Sequence, residues 1–348
     1  MKNVIQLKKF RVAWPMWLAA SAVAAVVAGA AGITAGQGSA APHQFKDPTL
    51  ENGVLTVEGT NAGDRIALRL QAGQPGILQV DVGDDGSADF SFQRWEISKI
   101  VVDAGNGDDS VRIDESNGVF GDTIPTTIDG GNGNDRLVGG AGDETVLGGN
   151  GNDSIDGNKG NDVAFMGNGN DTFIWDPGDG SDTVEGQNGN DTMLFNGAGV
   201  AEKVDLTANG DHLKFFRDVA NVTMDTHGVE RVDFNALGGV DLVTVNDLTG
   251  TDVNEVNVDL AGTLGGNAGD GAADRVVVNG TNGDDTINVS GDSAGVKVSG
   301  LAATVGVFHS EAANDRLEIN TLNGNDNANS AGLAAGVIQL FVDGILVP

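Results

Sequence analysis

Acidic residues recur every nine positions in the middle of this sequence, each at the end of a glycine-rich turn. Five successive nonapeptides occupy residues 130–174, with an acid at the sixth position and an apolar residue at the eighth. The sixth-position acids are Asp135, Glu144, Asp153, Asp162 and Asp171. Carboxylates and turn carbonyls are hard oxygen ligands, which suit calcium. This spacing predicts cation coordination rather than catalysis.

The nine-residue spacing also indicates which elements position these acids. Glycines at positions one, two and four permit a tight six-residue turn, and positions seven to nine form a short strand. The middle residue of that strand points inward; these residues are Leu137, Val146, Ile155, Ala164 and Phe173. Two nonapeptides make one coil, so ligands on one edge recur every 18 residues, with coils stacked at about 4.8 Å.

This geometry predicts two stacks of acids. We expect Asp135, Asp153 and Asp171 on one edge, and Glu144 and Asp162 on the other. A two-residue insertion around Pro177 shifts the frame, after which Asp182 and Asp191 resume the nine-residue step. The candidate metal ligands are the turn glycines and acids Gly131, Gly133, Asp135, Gly140, Gly142, Glu144, Gly149, Gly151, Asp153, Gly160, Asp162, Gly169, Asp171, Asp182 and Asp191.

Folding of this segment should depend on calcium. Each nonapeptide buries about one apolar side chain while fixing the backbone of nine residues, and stacking brings like charges together. A calcium ion between adjacent turns would remove the repulsion and ligate the inward carbonyls. We therefore expect the repeat segment to be largely unfolded without calcium.

The frames resemble the repeats-in-toxin (RTX), or haemolysin-type, calcium-binding nonapeptide G-G-x-G-x-D-x-U-x, where U is apolar. The first and third frames match it at every position. The resemblance implies a right-handed parallel β-roll with calcium between successive turns on each edge. Three residues depart from the pattern: Glu144 replaces Asp, and Asn158 and Met166 replace Gly. These departures predict a shifted site at Glu144 and strained or weaker sites in the fourth and fifth turns.

Composition agrees with a layered, acidic solenoid. The 348 residues include 54 Gly, 7 Pro, no Tyr and no Cys, and the formal net charge is −31. Few aromatics argue against one large packed core and favour repeated thin layers. Such a negative charge excludes nucleic acid as a partner and requires either disorder or a neutralising cation. Without Cys there is no disulfide framework and no thiolate metal site.

Short alternating apolar runs separated by Gly, Asp and Asn indicate strands on both sides of the repeats. The flanks also echo each other: residues 57–66 match 278–287, and residues 100–109 resemble 317–326. We predict an all-β fold, with a calcium-binding parallel β-roll or β-solenoid flanked by irregular β-repeat regions. The predicted divisions are a β-repeat region (41–129), the β-roll (130–195) and a C-terminal β-repeat region (196–348).

Residues 1–40 have the pattern of an export signal. Met1–Arg11 is basic, Trp14–Ile33 is apolar and uncharged, and small residues precede a plausible cleavage point near Ala40. The apolar stretch is also long enough for an uncleaved membrane anchor, the one route by which we expect membrane association. The protein is therefore expected outside the cell or at its surface.

Three weaker motifs favour ordinary turns. Residues 81–89 partly resemble an EF-hand loop but lack the Glu at its twelfth position and have β flanks. Residues 291–295 spell G-x-S-x-G around Ser293, yet a strand pattern follows where a nucleophile elbow needs a helix. The histidines His43, His212, His227 and His309 are far apart in sequence and form no zinc motif, which indicates isolated residues.

Two functional hypotheses remain. The first is an exported, non-enzymatic calcium-binding protein with a structural or binding role. The second is the calcium-binding portion of a secreted hydrolase or toxin, although residues 41–129 are short for a catalytic domain. An adhesin acting through exposed strand edges, with a cell-surface or protein partner, is a further alternative.

Overall fold

The computed structural model describes residues 45–348. The segment interpreted as an export signal or anchor lies outside the described residues. Within residues 45–348, no helix has the length and apolar character needed to cross a lipid bilayer.

Across the described residues the chain is almost entirely β. The strands of the first region are β1 Thr49–Glu51, β2 Val54–Thr60, β3 Arg65–Gln71, β4 Gln74–Val82, β5 Phe90–Gln93, β6 Lys99–Gly105, β7 Ser110–Asp114 and β8 Thr126–Asn132. Those of the repeats are β9 Arg136–Val138, β10 Thr145–Asn150, β11 Ser154–Asp156, β12 Val163–Gly169, β13 Thr172–Trp175, β14 Thr183–Gly189 and β15 Thr192–Asn196.

The remaining strands are β16 Lys203–Asn209, β17 His212–Arg217, β18 Val222–His227, β19 Arg231–Asn235, β20 Leu242–Val245, β21 Glu255–Asp259, β22 Arg275–Asn279, β23 Thr286–Asp292, β24 Gly295–Ser299, β25 Thr304–Phe308, β26 Arg316–Asn320, β27 Asn327–Leu333, β28 Gln339–Val342 and β29 Ile345–Leu346. Three single 3-10 turns cover Arg94–Glu96, Gly121–Thr123 and Val219–Asn221.

The strands form two sheets of 15 and 14 strands, and successive strands of the roll alternate between them. The first sheet has the order β1-β2-β6-β8-β10-β12-β14-β18-β17-β16-β20-β22-β26-β28-β29. The second has the order β27-β23-β24-β25-β21-β19-β15-β13-β11-β9-β7-β3-β4-β5. Most neighbours that come from different coils pair in parallel, as a coiled solenoid requires. The predicted all-β, parallel-rich architecture is confirmed.

Strand register confirms that two nonapeptides make one coil. Val146 pairs with Ile128 on one side and with Ala164 on the other, a step of 18 residues in each direction. After the insertion around Pro177, the step lengthens to 20 residues, and Ala164 pairs with Val184. The two extra residues therefore lengthen a turn and leave the strand stacking intact.

The core is a narrow double row of side chains between the sheets. The eighth residue of each nonapeptide is buried, as the alternation of inward and outward side chains predicts. These residues are Leu137, Val146, Ile155, Ala164 and Phe173. Each coil thus contributes little apolar area, and stability accumulates from coil to coil.

Three antiparallel insertions interrupt the parallel coils. Strands β3–β5, β16–β18 and β23–β25 each place a three-stranded meander where a single strand would complete a coil. Beside the middle meander the core becomes aromatic. Trp175 stacks on Phe195 with ring centroids 3.9 Å apart, and Phe215 lies 4.4 Å from Phe195. Phe215 is buried, whereas its neighbour Phe216 is only partly buried.

The sequence similarity between the two regions that flank the repeats corresponds to a repeated structure. The amide of Asp64 donates to Asp109 Oδ1 at 2.6 Å, and the amide of Asp285 donates to Asp326 Oδ1 at 2.9 Å. The same parallel pairings, β2 with β6 and β3 with β7, recur as β22 with β26 and β23 with β27. The two pairs of matching segments are therefore neighbouring coils at each end of one solenoid.

The weaker motifs form turns. The EF-hand-like segment connects β4 and β5, and Asp81 accepts hydrogen bonds from Arg69 Nη1 at 2.6 Å and from the amide of Gly86 at 2.9 Å. Ser293 is exposed at the tip of the β23–β24 hairpin, and a strand follows it. The G-x-S-x-G segment therefore lacks the strand-turn-helix geometry of a nucleophile elbow.

Gly151→Ala should destabilise the folded chain more than Gly199→Ala. Gly151 has φ +132°, and a Cβ there would overlap the carbonyl oxygen of Gly133 in the neighbouring coil. Strained backbone of this kind costs about 1–3 kcal/mol before the overlap is added. Gly199 has open space around it and no left-handed φ. Thermal unfolding in saturating calcium measures both variants, and equal stability would contradict the close stacking of turns.

Candidate metal centre

A continuous stack of acids runs along one edge of the solenoid, and all but the last, the partly buried Glu230, are buried. Each acid immediately precedes a strand of the 14-stranded sheet, and the backbone amide of each donates to the carboxylate of the next. In order, the stack is Asp64, Asp109, Asp135, Asp153, Asp171, Asp191 and Glu230. We call this the first ladder. It places Asp135, Asp153 and Asp171 together on one edge, as their spacing predicts.

The hydrogen bonds of the first ladder are regular. Through the repeats, the amide of Asp135 lies 2.8 Å from Asp153 Oδ1, and that of Asp153 lies 2.7 Å from Asp171 Oδ1. Asp191 continues the series and accepts from the amide of Asp171 at 2.8 Å. From Asp109 to Asp191, one oxygen of each carboxylate is therefore used to join adjacent coils, and the other remains for another partner.

The opposite edge carries a second series, before strands of the 15-stranded sheet. The amide of Glu144 donates to Asp162 Oδ1 at 2.7 Å, and that of Asp162 donates to Asp182 Oδ1 at 2.8 Å. Beyond the middle meander, the series continues with Glu202, Asp241, Asp274 and Asp315. We call Glu144–Asp162–Asp182 the second ladder and the later group the third ladder.

Several ladder carboxylates have one oxygen that is buried and lacks a hydrogen-bond partner among the described residues. These oxygens are Oδ2 of Asp109, Asp135, Asp153, Asp162, Asp171, Asp191 and Asp241, and Oε1 of Glu144. Buried polar atoms are normally satisfied, so a row of unpartnered carboxylate oxygens indicates a missing cationic partner. A hard, oxygen-binding cation such as calcium fits this donor set.

Desolvation raises the pKa of the ladder carboxyls. Burial raises the pKa of Asp162 to about 9 and those of Glu144 and Asp171 to about 7. Burial likewise raises the pKa to about 6 for Asp135 and Asp191, to about 7 for Asp109 and Asp182, and to about 8 for Asp241. Neighbouring carboxylates add a smaller contribution in most of these cases. A bound cation would lower these pKa values, because it stabilises the charged carboxylates.

The turn glycines stack directly on one another. Gly131 pairs with Gly149 in adjacent strands, and added Cβ atoms at Gly133, Gly142, Gly151, Gly160 and Gly169 would each overlap a carbonyl oxygen of the preceding coil. Gly140 differs, because its nearest neighbour is the side chain of Ile113. The glycines thus allow the coils to approach, and they bring backbone oxygens next to the ladder carboxylates: Gly148 O and Asp135 Oδ2 both adjoin Gly130.

The three departures from the repeat are accommodated in different ways. Glu144 begins its ladder, and its Oε2 accepts from the amide of Gly140 in its own turn at 2.8 Å. Asn158 has φ +57°, a conformation Asn tolerates, and its Nδ2 donates to Gly139 O at 2.9 Å. Met166 is fully buried in the core. Asn158 and Met166 therefore make compensating contacts in the turns where strain was expected.

Ladder acids outside the repeats are the residues that sequence reasoning missed. Asp64, Asp109, Glu202, Asp241, Asp274 and Asp315 are all buried, as is Asp285, whose amide donates to Asp326 in a separate pair. Each lies two positions before a buried apolar residue, as in Asp64–Ile66 and Asp274–Val276. This acid-x-apolar pattern persists where the glycines of the nonapeptide are only partly retained, and it is the signal that would have found them.

An arginine neutralises the first acid of the third ladder. Arg217 Nε donates to Glu202 Oε1 at 2.6 Å, and both side chains are buried. Glu202 is absent from the group with unpartnered oxygens. The protein therefore balances this ladder position with its own cation, in contrast to the repeat segment, where no Lys or Arg contacts the ladder acids among the described residues.

The asparagines of the repeats form ladders of their own. Asn150 Nδ2 donates to Asn132 Oδ1 and Asn168 Nδ2 donates to Asn150 Oδ1, both at 2.8 Å. The third position of alternate nonapeptides therefore forms an exposed amide stack that joins coils without adding charge.

The fold and the ladders together define a β-roll with acidic, glycine-rich turns. The family model for the RTX calcium-binding nonapeptide repeat (4 copies) matches residues 127–143, 138–173 and 178–197. These residues are RTX repeats, and RTX nonapeptide repeats bind calcium. Among curated proteins, no match to this chain was found.

The calcium-free fold should lose stability as pH rises. Each raised pKa lies above the ordinary carboxyl value of about 4, so between the two values the folded chain binds more protons than the unfolded chain. Stability is therefore highest below about pH 4 and falls as pH rises from there through the raised pKa values of about 6 to 9. Calcium affinity should rise over the same range, because binding displaces those protons.

Unfolding of the chelator-treated protein at a series of pH values, with calcium titrations at each, measures both trends. A calcium affinity that does not change between acid and neutral pH would show that the ladder carboxyls are not the ligands.

Proposed function

We propose that this chain is an exported calcium-binding protein whose repeat segment folds, or becomes rigid, when calcium fills the first and second ladders. The observation that supports this most strongly is the row of buried carboxylate oxygens without a partner. Those of Asp135, Asp153, Asp162 and Asp191 each lie beside the first glycine of their own turn. Calcium supplies the positive charge that would neutralise these oxygens. Its flexible oxygen coordination suits a mixture of carboxylates and carbonyls.

The proposed ligands are the turn residues that the spacing selects. In each site a carboxylate such as Asp153 would act together with carbonyl oxygens from turns of two adjacent coils, including those at Gly149 and Gly151. Asp182 and Asp191 extend the two ladders past the insertion, so the added residues around Pro177 do not end the series.

The ladders also support calcium binding outside the matched segment. Asp109 and Asp241 each have a buried, unpartnered Oδ2, although they lie outside residues 127–197. Glu202 is the internal contrast, because Arg217 already neutralises it. We therefore place the proposed calcium sites at ladder carboxylates that have an unpartnered buried oxygen, whether or not they belong to a strict nonapeptide.

A structural or binding role without catalysis is the form of this function that we favour. The described residues that resembled a nucleophile motif form an exposed hairpin tip at Ser293. Export is supported by the basic and apolar pattern of residues 1–40, which predicts a signal or anchor. The calcium concentration outside cells would then keep the roll folded after export.

Asp153→Asn should reduce the number of calcium ions bound and weaken the remaining sites in the first ladder. Asn keeps the shape and one acceptor oxygen but removes the charge at the position shared by two successive pairs, with Asp135 and Asp171. Isothermal titration of calcium into chelator-treated protein gives stoichiometry and affinity for both proteins.

Asp292→Asn is the matched control, since Asp292 is an exposed hairpin-tip carboxylate that, within residues 45–348, accepts a hydrogen bond only from the amide of Ala294. Its calcium titration should equal that of the unmodified chain. Identical titrations for Asp153→Asn and the unmodified chain would refute the assignment of calcium to the first ladder.

A further inference from the structure

Glu185, His212 and His227 lie side by side on three neighbouring strands. Strand β14 pairs in parallel with β18, which places Glu185 opposite His227. Strand β18 pairs in antiparallel fashion with β17, and the Leu213–Thr226 pair extends by one step to His212 and His227. The interpretation of these histidines as isolated residues is therefore wrong: their rings stack with centroids 5.0 Å apart.

The three side chains can converge on one ion. One ligand atom from each of Glu185, His212 and His227 lies within 4.8 Å of the others. His227 Nδ1 is 3.1 Å from Glu185 Oε2. All three residues are only partly buried, so an ion can reach them from solvent.

Neighbouring carboxylates orient the histidines of this cluster and make its surroundings negative, both of which favour cation binding. Asp225 Oδ1 lies 2.8 Å from His212 Nδ1, which favours the tautomer whose Nε2 lone pair is free to bind a metal. Asp252 Oδ2 lies 3.8 Å from His227 Nε2, and Asp211 Oδ1 lies 4.0 Å from His212 Nε2. The carboxylates outnumber the imidazoles and create a negative local potential that attracts cations.

We propose that Glu185, His212 and His227 bind a borderline transition-metal ion such as Zn²⁺, with Asp225 as the residue that orients His212. Two imidazoles and a carboxylate are ligands typical of zinc, whereas the oxygen-only ladders suit calcium. Water would complete the coordination. The site depends on the middle meander, because β17 and β18 bring the two histidines beside β14.

This site is separate from the ladders in chemistry and in position. The ladder acids are buried at the ends of turns, whereas the cluster is on the outer surface of the 15-stranded sheet. Zinc binding to the cluster therefore requires the folded meander but does not require any calcium site to be correctly assigned.

The test is a titration of Zn²⁺ into the full chain in excess calcium, at about pH 7.5, where histidine is mostly neutral. We expect one zinc ion per chain, and loss of this binding in His212→Ala and in His227→Ala. Asp225→Asn should weaken zinc binding by roughly 10–100-fold, the usual effect of losing a partner that orients a ligand. Far-UV circular dichroism of each variant verifies the fold.

His309→Ala is the matched control. His309 Nδ1 also lies near a carboxylate, 2.6 Å from Asp259 Oδ1, but it belongs to no group of three possible ligands among the described residues. Its zinc titration should be unchanged. The visible absorption of Co²⁺ bound in place of zinc provides a second measurement, which should report nitrogen ligation and disappear in His212→Ala.

Unchanged zinc affinity in folded His212→Ala and His227→Ala would overturn the proposal. Equal loss of zinc binding in His309→Ala would do the same, because it would indicate nonspecific binding to surface histidines.

Discussion

Repulsion among buried carboxylates is the constraint on which this structure depends. The coils can stack only if acids such as Asp135, Asp153 and Asp171 follow one another along an edge, and each is almost fully buried. Hydrogen bonds from backbone amides compensate one oxygen of each carboxylate. The second oxygen and the net charge remain, so a cation becomes part of the fold rather than an accessory to it.

The glycines and asparagines of the repeat favour stacking of the coils without adding charge. Glycines let the turns approach to backbone contact, and Asn132, Asn150 and Asn168 join coils through neutral amides. The apolar row between the sheets is only one or two side chains wide per coil, so it cannot hold charged edges together by itself. Where a ladder begins beyond the meander, Arg217 neutralises Glu202 instead. An arginine side chain and a bound calcium ion are therefore two ways of neutralising the buried carboxylates.

Much of this architecture follows from the sequence because the nonapeptide is a local rule. The nine-residue step predicts the 18-residue register, the buried eighth position and the pairing of Asp135 with Asp153, and the structure confirms each. The likeness of residues 57–66 to 278–287 likewise predicts recurring coils, and the hydrogen bonds of Asp64 and Asp285 reproduce each other.

Other features could not be predicted because they depend on long-range register. His212 and His227 are 15 positions apart and meet because β17 and β18 pair in one particular alignment, while the pairing of β18 with β14 places His227 opposite Glu185. The Arg217–Glu202 pair depends on the same meander. The flanking ladder acids were missed for a different reason: their turns keep only part of the glycine pattern that marks the repeat, although the acid-x-apolar spacing persists.

The most direct test of the central claim is far-UV circular dichroism of chelator-treated chain during a calcium titration, with magnesium as the control ion. We expect a gain of β signal with calcium and a much smaller response to magnesium, which prefers a rigid octahedral shell. A full β signal without any divalent ion, or an equal response to the two ions, would contradict the claim that calcium neutralises the ladders and completes the fold.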